Sequence, residues 1–222
     1  MNCHSMNGCS FTGVIMDRNV LKYSKDSREE KKELIYNSAI KVLSQKGFHE
    51  ATVHDIAKEA GLASGTIYLY FKNKEDILIS LFNKKWNDFF IDLNSATEKY
   101  ANLIQKMEAR LNYIVNYFKE NSDLVNIMFI ESYHFLFLEP EILEMFYKEW
   151  DYISSTFGQI LEEGRKEKIF SYEGSSVSVA KVIFGVVESF LKQNLIHNGK
   201  FPEDDINTII KFVLNGLKAK EW

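Results

Sequence analysis

From residue 27 onward apolar residues recur three and four positions apart, in stretches separated by short polar or glycine-bearing gaps. Ser27 and Glu30 have the S-x-x-E form of a capping box, and Leu34, Ile35, Ala39, Val42 and Leu43 then share one face. With Gly47 placed to stop it, this spacing predicts a first helix over 28–46. Thr52, with Asp55 three residues on, caps a short helix whose apolar side is Ile56, Ala57 and Ala60. Gly61 breaks it, Leu62 turns back toward the core, and a second short helix is expected over 64–70. Asn73 and Asp76 make a further cap, opening a long helix to about residue 93.

The rest reads the same way. Helices are predicted over 100–119 and 123–137, around a break at Asn121-Ser122. Pro140 stands at a first helical position, where its missing N–H costs nothing, and opens a helix to about 168. A loop over Glu173-Gly174-Ser175-Ser176 precedes a helix over 177–197. Pro202 and the acidic run Glu203-Asp204-Asp205 start the last one, at the positive end of its dipole. The expected fold is all-α, about nine helices with no strand and no repeat.

Composition agrees. A hydrophobic fraction of 45% in 222 residues supplies a sizeable core, and only two prolines suit long helices. The net charge of -4 hides a gradient: residues 1–75 carry 11 Lys/Arg against 9 Asp/Glu, and the remainder 16 against 22. Nucleic-acid binding depends on charge at the contact surface, so the basic end is where DNA is expected. Cys3 and Cys9 are the only cysteines, which excludes a disulfide-built fold and suits a reducing cytoplasm. Cys3-His4 with Cys9 fits no four-ligand zinc spacing, so no metal and no cofactor are expected. No apolar run reaches the ~18–20 residues of a membrane helix, and residues 1–20 show no signal-peptide core. Met16 offers an alternative start, with residues 1–15 as an extension before it.

The functional signal lies in residues 52–71. Two short helices around a glycine-containing turn form a helix-turn-helix, whose second helix fits a major groove roughly 12 Å wide. Ile56, Ala57, Ala60, Leu62, Ile67 and Phe71 are its expected core. Ser64, Gly65, Thr66, Tyr68 and Tyr70 are the positions left to face DNA, with hydroxyls for phosphate oxygens and base edges. The run from Thr52 through Ile56-Ala57, Ala60-Gly61-Leu62 and Gly65-Thr66-Ile67-Tyr68-Leu69-Tyr70-Phe71 to Lys72-Asn73-Lys74-Glu75-Asp76 resembles the N-terminal signature of the TetR (tetracycline-repressor-like) family. The resemblance implies that Thr52 caps the second helix and binds a phosphate, and that Ser64, Gly65 and Thr66 lie at the groove end of the recognition helix. It further implies that Tyr68 and Tyr70 clamp the backbone and that Lys74 pairs with a phosphate. Ser64 stands where the family often has Lys, and Leu69 where a polar residue is common. Lys25, Arg28, Lys31 and Lys32 are candidates to restore the missing charge.

The resemblance divides the chain into a tail (1–26), a DNA-binding domain (27–73) and a ligand-binding and dimerisation domain (74–222). Residues 80–170 are rich in aromatics on neighbouring helices, a pattern of core packing and also of an apolar ligand cavity. Trp86, Phe90, Tyr113, Tyr117, Phe129, Tyr133, His134 and Trp150 are the candidate lining for a small apolar or aromatic effector. No cluster of basic residues here demands an anion. The last two helices carry Val179, Val182, Ile183, Val186, Val187, Phe190, Ile209, Ile210, Val213 and Leu214, more apolar surface than one protomer buries, and Gly185 and Gly216 permit close approach. In the family this pair forms a two-fold homodimer interface, so two recognition helices read a palindromic double-stranded operator. The implied function is a cytoplasmic repressor released by its effector. A same-fold activator or a helical protein-interaction scaffold stays open. No nucleophile elbow, P-loop or HExxH motif points to an enzyme.

Overall fold

The computed structural model describes the backbone of residues 18–128, 140–196 and 203–217, and side chains for 27–128, 144, 147–193 and 203–217. The Cys3-His4…Cys9 group, Met16, Phe129, Tyr133 and His134 lie outside the described residues, as does the Lys25 side chain. Nine helices and no strand are found among the described residues. They are α1 (Arg18–Glu50), α2 (Val53–Glu59), α3 (Ser64–Ile67), α4 (Lys74–Glu98), α5 (Leu103–Glu120), α6 (Ser122–Asn126), α7 (Pro140–Lys166), α8 (Ser176–Ile196) and α9 (Glu203–Leu217).

The largest difference from the pattern is the start of α1. The helix begins at Arg18, so Ser27 lies within it and does not cap it. No glycine or proline stands between residues 18 and 46. Once a helix is nucleated, each added residue closes a further hydrogen bond, so a local cap gives way to propagation. Gly47 breaks the helix as expected, at φ 72 and ψ 166. α4 runs to Glu98, beyond the expected 93, with the Thr97 hydroxyl donating to the carbonyls of Leu93 and Asn94.

The buried apolar side chains form two clusters. The first joins Ile35, Ala39 and Leu43 of α1 to Ile56, Ala57, Ile67 and Phe71, and then to Ile77, Leu78, Leu81 and Phe82 of α4. Leu124, Ile127 and Met128 complete it from α6 and the turn after it. The helix-turn-helix therefore shares one core with α1, the first turns of α4, and α6. Tyr36 Oη···Ser80 Oγ (3.0 Å) and Lys85 Nζ–Glu33 Oε1 (2.6 Å) hold the same α1–α4 junction from outside. The second cluster takes Phe89 and Leu93 of α4, one face of α5, and Phe157, Leu161, Ile183, Val187, Ile210 and Leu214 from α7, α8 and α9. Trp86 packs against both clusters, and α6 gives Leu124 to the first and Val125 to the second.

Candidate nucleic-acid interface and ligand site

α2 is set by its cap. The Thr52 hydroxyl accepts from the Asp55 N–H (3.1 Å), and the Asp55 carboxylate accepts from the Thr52 backbone N–H (3.0 Å) and hydroxyl (2.8 Å). Lys46 Nζ donates to the same carboxylate at 2.7 Å. These bonds, the one from Lys46 first, hold Asp55 down at a pKa of about 2. Gly61, at φ 65, makes the turn that a side chain resists. Ile56, Ala57, Ala60, Ile67 and Phe71 are buried beneath it, and Leu62 packs against them half-buried.

α3 is four residues long, shorter than the 64–70 expected, because its last turn tightens. The N–H groups of Leu69 and Tyr70 donate to the carbonyls three residues back, those of Thr66 and Ile67, so residues 68–70 stay coiled as turns. Gly65 is exposed with open space where a Cβ would stand, and Ser64 and Thr66 flank it half-exposed. The Ser64 hydroxyl lies 3.2 Å from His54 Nδ1 of α2. Tyr68 is 57% exposed and Leu69 75%. Tyr70, read from the sequence as facing outward, is half-buried: its ring lies 6.5 Å from Phe71 and carries the Arg28 guanidinium at 5.7 Å. Arg28 thereby brings one of the candidate α1 cations onto the α3 surface; Lys31 is exposed beside it, and Lys32 lies 3.7 Å from Glu29.

Lys74 is held by its own chain. Its ammonium donates to the carbonyls of Phe48 and Ala51 (2.7 Å to the latter) and stands 4.1 Å over the Phe48 ring. Past Gly47 the carbonyls of this turn lack a continuing helix to bond them, and a cation satisfies them. The lysine read as a phosphate partner is engaged inside the fold.

In the sensing half, four of the eight candidate lining residues come together. Trp86 stacks on Phe90 (5.6 Å), Phe89 meets Trp86, Phe90, Tyr113 and Tyr117 at 5.5, 5.3, 5.5 and 4.8 Å, and Tyr113 stacks on Tyr117 (6.3 Å). Burial, with Asp92 and Glu120 nearby, pushes the Tyr113 phenol up to about 12, and burial pushes Tyr117 further in the same direction. Trp86 Nε1 is buried without a partner. The cleft lined by Trp86, Tyr117, Phe118, Val125 and Met128 is apolar and has room for little more than a water. Trp150 is not part of this group: its ring packs edge-on against Phe184 of α8, 4.6 Å away.

A larger opening lies between α4 and α7, a groove of about 530 Å³ whose walls include Phe90, Asn94, Glu149 and Tyr152. Beside it sits a residue the sequence reading passed over. Arg110 of α5 is only 7% exposed, its Nη2 donates to Asn94 Oδ1 (2.9 Å), and its guanidinium lies 5.5 Å from the Phe157 centroid. Nε and Nη1 are buried with no partner among the described residues. Its position was the available signal: Leu103, Met107, Leu111, Ile114 and Phe118 form the buried stripe of α5, and Arg110 falls inside it.

The comparisons with known proteins fit this geometry. The signature of the family described as bacterial regulatory proteins, tetR family, matches residues 35–81, which span the helix-turn-helix and its supports on α1 and α4. The fatty acid metabolism regulator protein of Bacillus subtilis is 29% identical over 191 residues, covering 84% of this chain and 95% of that protein. The fatty acid degradation regulator FadR of Bacillus halodurans superposes with a TM-score of 0.76 at 26% identity, over 86% of this chain and 97% of that one. FadR from Bacillus subtilis, solved in complex with stearoyl-CoA, does so at 0.70 and 25% identity, over 83% and 98%. A signature that falls on the helix-turn-helix, on a scaffold shared along nearly the whole length of these regulators, places the chain in the tetR family of bacterial transcriptional regulators.

Proposed function

We propose that this chain is a homodimeric repressor that holds a palindromic operator through α2 and α3 and is released by a long-chain acyl effector. Residues 27–73 serve as the DNA-reading head, and residues 74–222 sense the effector and dimerise in the cytoplasm, without catalysis. The observation that carries the DNA reading is the surface of α3: Ser64, Gly65, Thr66 and Tyr68 stand outward on a helix fixed from below by Ile67 and from the side by a capped α2. Thr66 and Gly65 take the groove, Tyr68 and Tyr70 the sugar-phosphate backbone, and Arg28 supplies charge that Ser64 does not. The acyl reading is supported by the relatives: likeness to the Bacillus subtilis fatty acid metabolism regulator covers the sensing half as well as the head, and FadR from Bacillus subtilis, which shares the scaffold, was solved with stearoyl-CoA.

Gly65→Ala separates surface from fold. A Cβ there meets nothing within 4 Å, so the variant is expected to keep the parent's melting temperature. In a gel-shift assay on the chain's own upstream region it is expected to bind at least tenfold more weakly, because the added methyl holds α3 off the base edges. Tyr68→Ala should weaken binding to all sequences, and Thr66→Ala should change base preference at one position. Added stearoyl-CoA should release the DNA. Unchanged affinity in all three variants would remove α3 from the interface, and DNA that stays bound at saturating stearoyl-CoA and at saturating stearate would remove the acyl effector.

A further inference from the structure

Arg110 poses a physical problem that the fold does not solve. A guanidinium stays charged at any ordinary pH, and a buried charge is costly unless paired and hydrogen-bonded. Of its donors, the structure satisfies one Nη2 bond, to Asn94. Among the described residues Nε and Nη1 have no partner, and no carboxylate forms an ion pair with it. The Phe157 ring against it gives a cation-π contact but no acceptor. No oxygen among the described residues answers these two donors, and one carried by a ligand would.

The neighbouring groove gives the route. Asn94 and Tyr152 belong both to its wall and to the arginine's surroundings: Asn94 Oδ1 holds Nη2, and Asn94 Nδ2 donates to Tyr152 Oη at 3.1 Å. Tyr152 packs on Phe90 at 4.5 Å, which continues into the Trp86 stack, so the wall beside Asn94 is aromatic. At about 530 Å³ the opening lies within the range of small-molecule sites. An amphiphile is the molecule that answers both features, an apolar chain for the aromatic wall and an acceptor oxygen for the arginine.

From this arrangement we infer that Arg110 is the polar anchor of the effector site, binding an anionic or carbonyl oxygen at the head of a long-chain acyl ligand that enters past Asn94 and Tyr152. This rests on the acyl-effector reading and names its recognition residue. Asn94 orients the guanidinium, and release of its bond to Tyr152 opens the wall. Two sources carry the shared chemistry, the carboxylate of a free fatty acid and the thioester and phosphate oxygens of an acyl-CoA. Glu149 on the same wall opposes an anion when ionised, and its burial favours the neutral acid.

The test is binding of three probes of one chain length, palmitate, palmitoyl-CoA and palmityl alcohol, to the full-length dimer, read by tryptophan fluorescence and by release of operator DNA. Arg110→Met keeps the length and removes the charge; Arg110→Lys keeps the charge. Arg110→Met is expected to lose at least 30-fold in affinity for whichever acyl probe, palmitate or palmitoyl-CoA, the parent binds, with Arg110→Lys in between. Palmityl alcohol, bound more weakly by the parent, should bind both variants as it binds the parent, which also shows that they are folded. Loss with palmitate alone assigns the carboxylate, and loss with palmitoyl-CoA the thioester head. Equal loss for all three probes makes Arg110 structural and overturns the inference, as does parent-like binding of the acyl probes by Arg110→Met. If the parent binds neither palmitate nor palmitoyl-CoA, the acyl reading itself is overturned, and this inference with it.

Discussion

Lys74 and Arg110 carry the same charge in one chain and meet opposite fates, decided by what surrounds them. Lys74 finds the carbonyls of Phe48 and Ala51 where a helix has just been broken by Gly47, and closes the α1–α2 junction under the recognition helix. Lys74→Gln is therefore expected to cost about 1.5–3 kcal/mol of stability, the scale of a hydrogen bond made by a charged group. Thermal melting measures that loss. The salt dependence of operator binding tests the phosphate role: a lysine on phosphate would lower the logarithmic slope by about 1, and an engaged one leaves it unchanged. A slope reduced by one at parental stability would return Lys74 to the DNA surface. The difference between the two residues was only half legible in the sequence. Arg110 announces itself by interrupting an apolar stripe, whereas the carbonyls that take Lys74 lie 23 and 26 residues away along the chain.

At the scale of elements, helix starts with side-chain caps were readable, because the partners are three residues apart: Thr52 and Asp55 cap each other, and Asn73 Oδ1 accepts from the Asp76 N–H as the spacing requires. Ser27 failed although its pattern was the same, since no breaker stands between Arg18 and Ser27 to make it an end. A cap is thus a preference that continuing helix can override. The working cap on α2 also carries a pH signature. Asp55 is held at about 2 against an ordinary 3.8, so its contribution is complete above 3.8 and is lost as pH falls toward 2. The stability difference between the parent and Asp55→Asn is expected to stay level from neutral pH to about 4 and to shrink below it. Denaturant melts at stepped pH would read this, and a difference already shrinking near pH 6 would assign it to another group.

For the whole molecule, the two buried clusters explain how one end can inform the other. α6 contributes to both, Trp86 touches both, and the narrow cleft at their junction is lined from α4, α5 and α6, so packing around a ligand in the second cluster bears directly on the first. Such a shift changes the spacing of two heads only if the protomers are held together elsewhere. The α8 and α9 surfaces offer that hold. Ile183, Val187, Ile210, Val213 and Leu214 are buried within the protomer, while Val182 is 67% exposed, Val186 39%, and Phe212, which the sequence reading had not singled out, 71%. Gly185 faces open space on the same helix as Val182 and Val186, and Gly216 faces open space on the helix of Phe212. Which apolar positions of an amphipathic helix remain outside depends on its rotation against its neighbours, so the sequence gives the surplus but not the face. In the proposed dimer these side chains meet their symmetry mates. Val182→Glu and Phe212→Glu are then expected to sediment as monomers at concentrations where the parent is a dimer, with parental helix content, because each replaces a side chain that is exposed in the protomer. Operator affinity should fall at least tenfold, as one head holds only a half-site. If both variants remain dimeric and bind DNA as the parent does, the two-fold contact lies on another surface, and the coupling between ligand and head spacing has to be rebuilt from that surface.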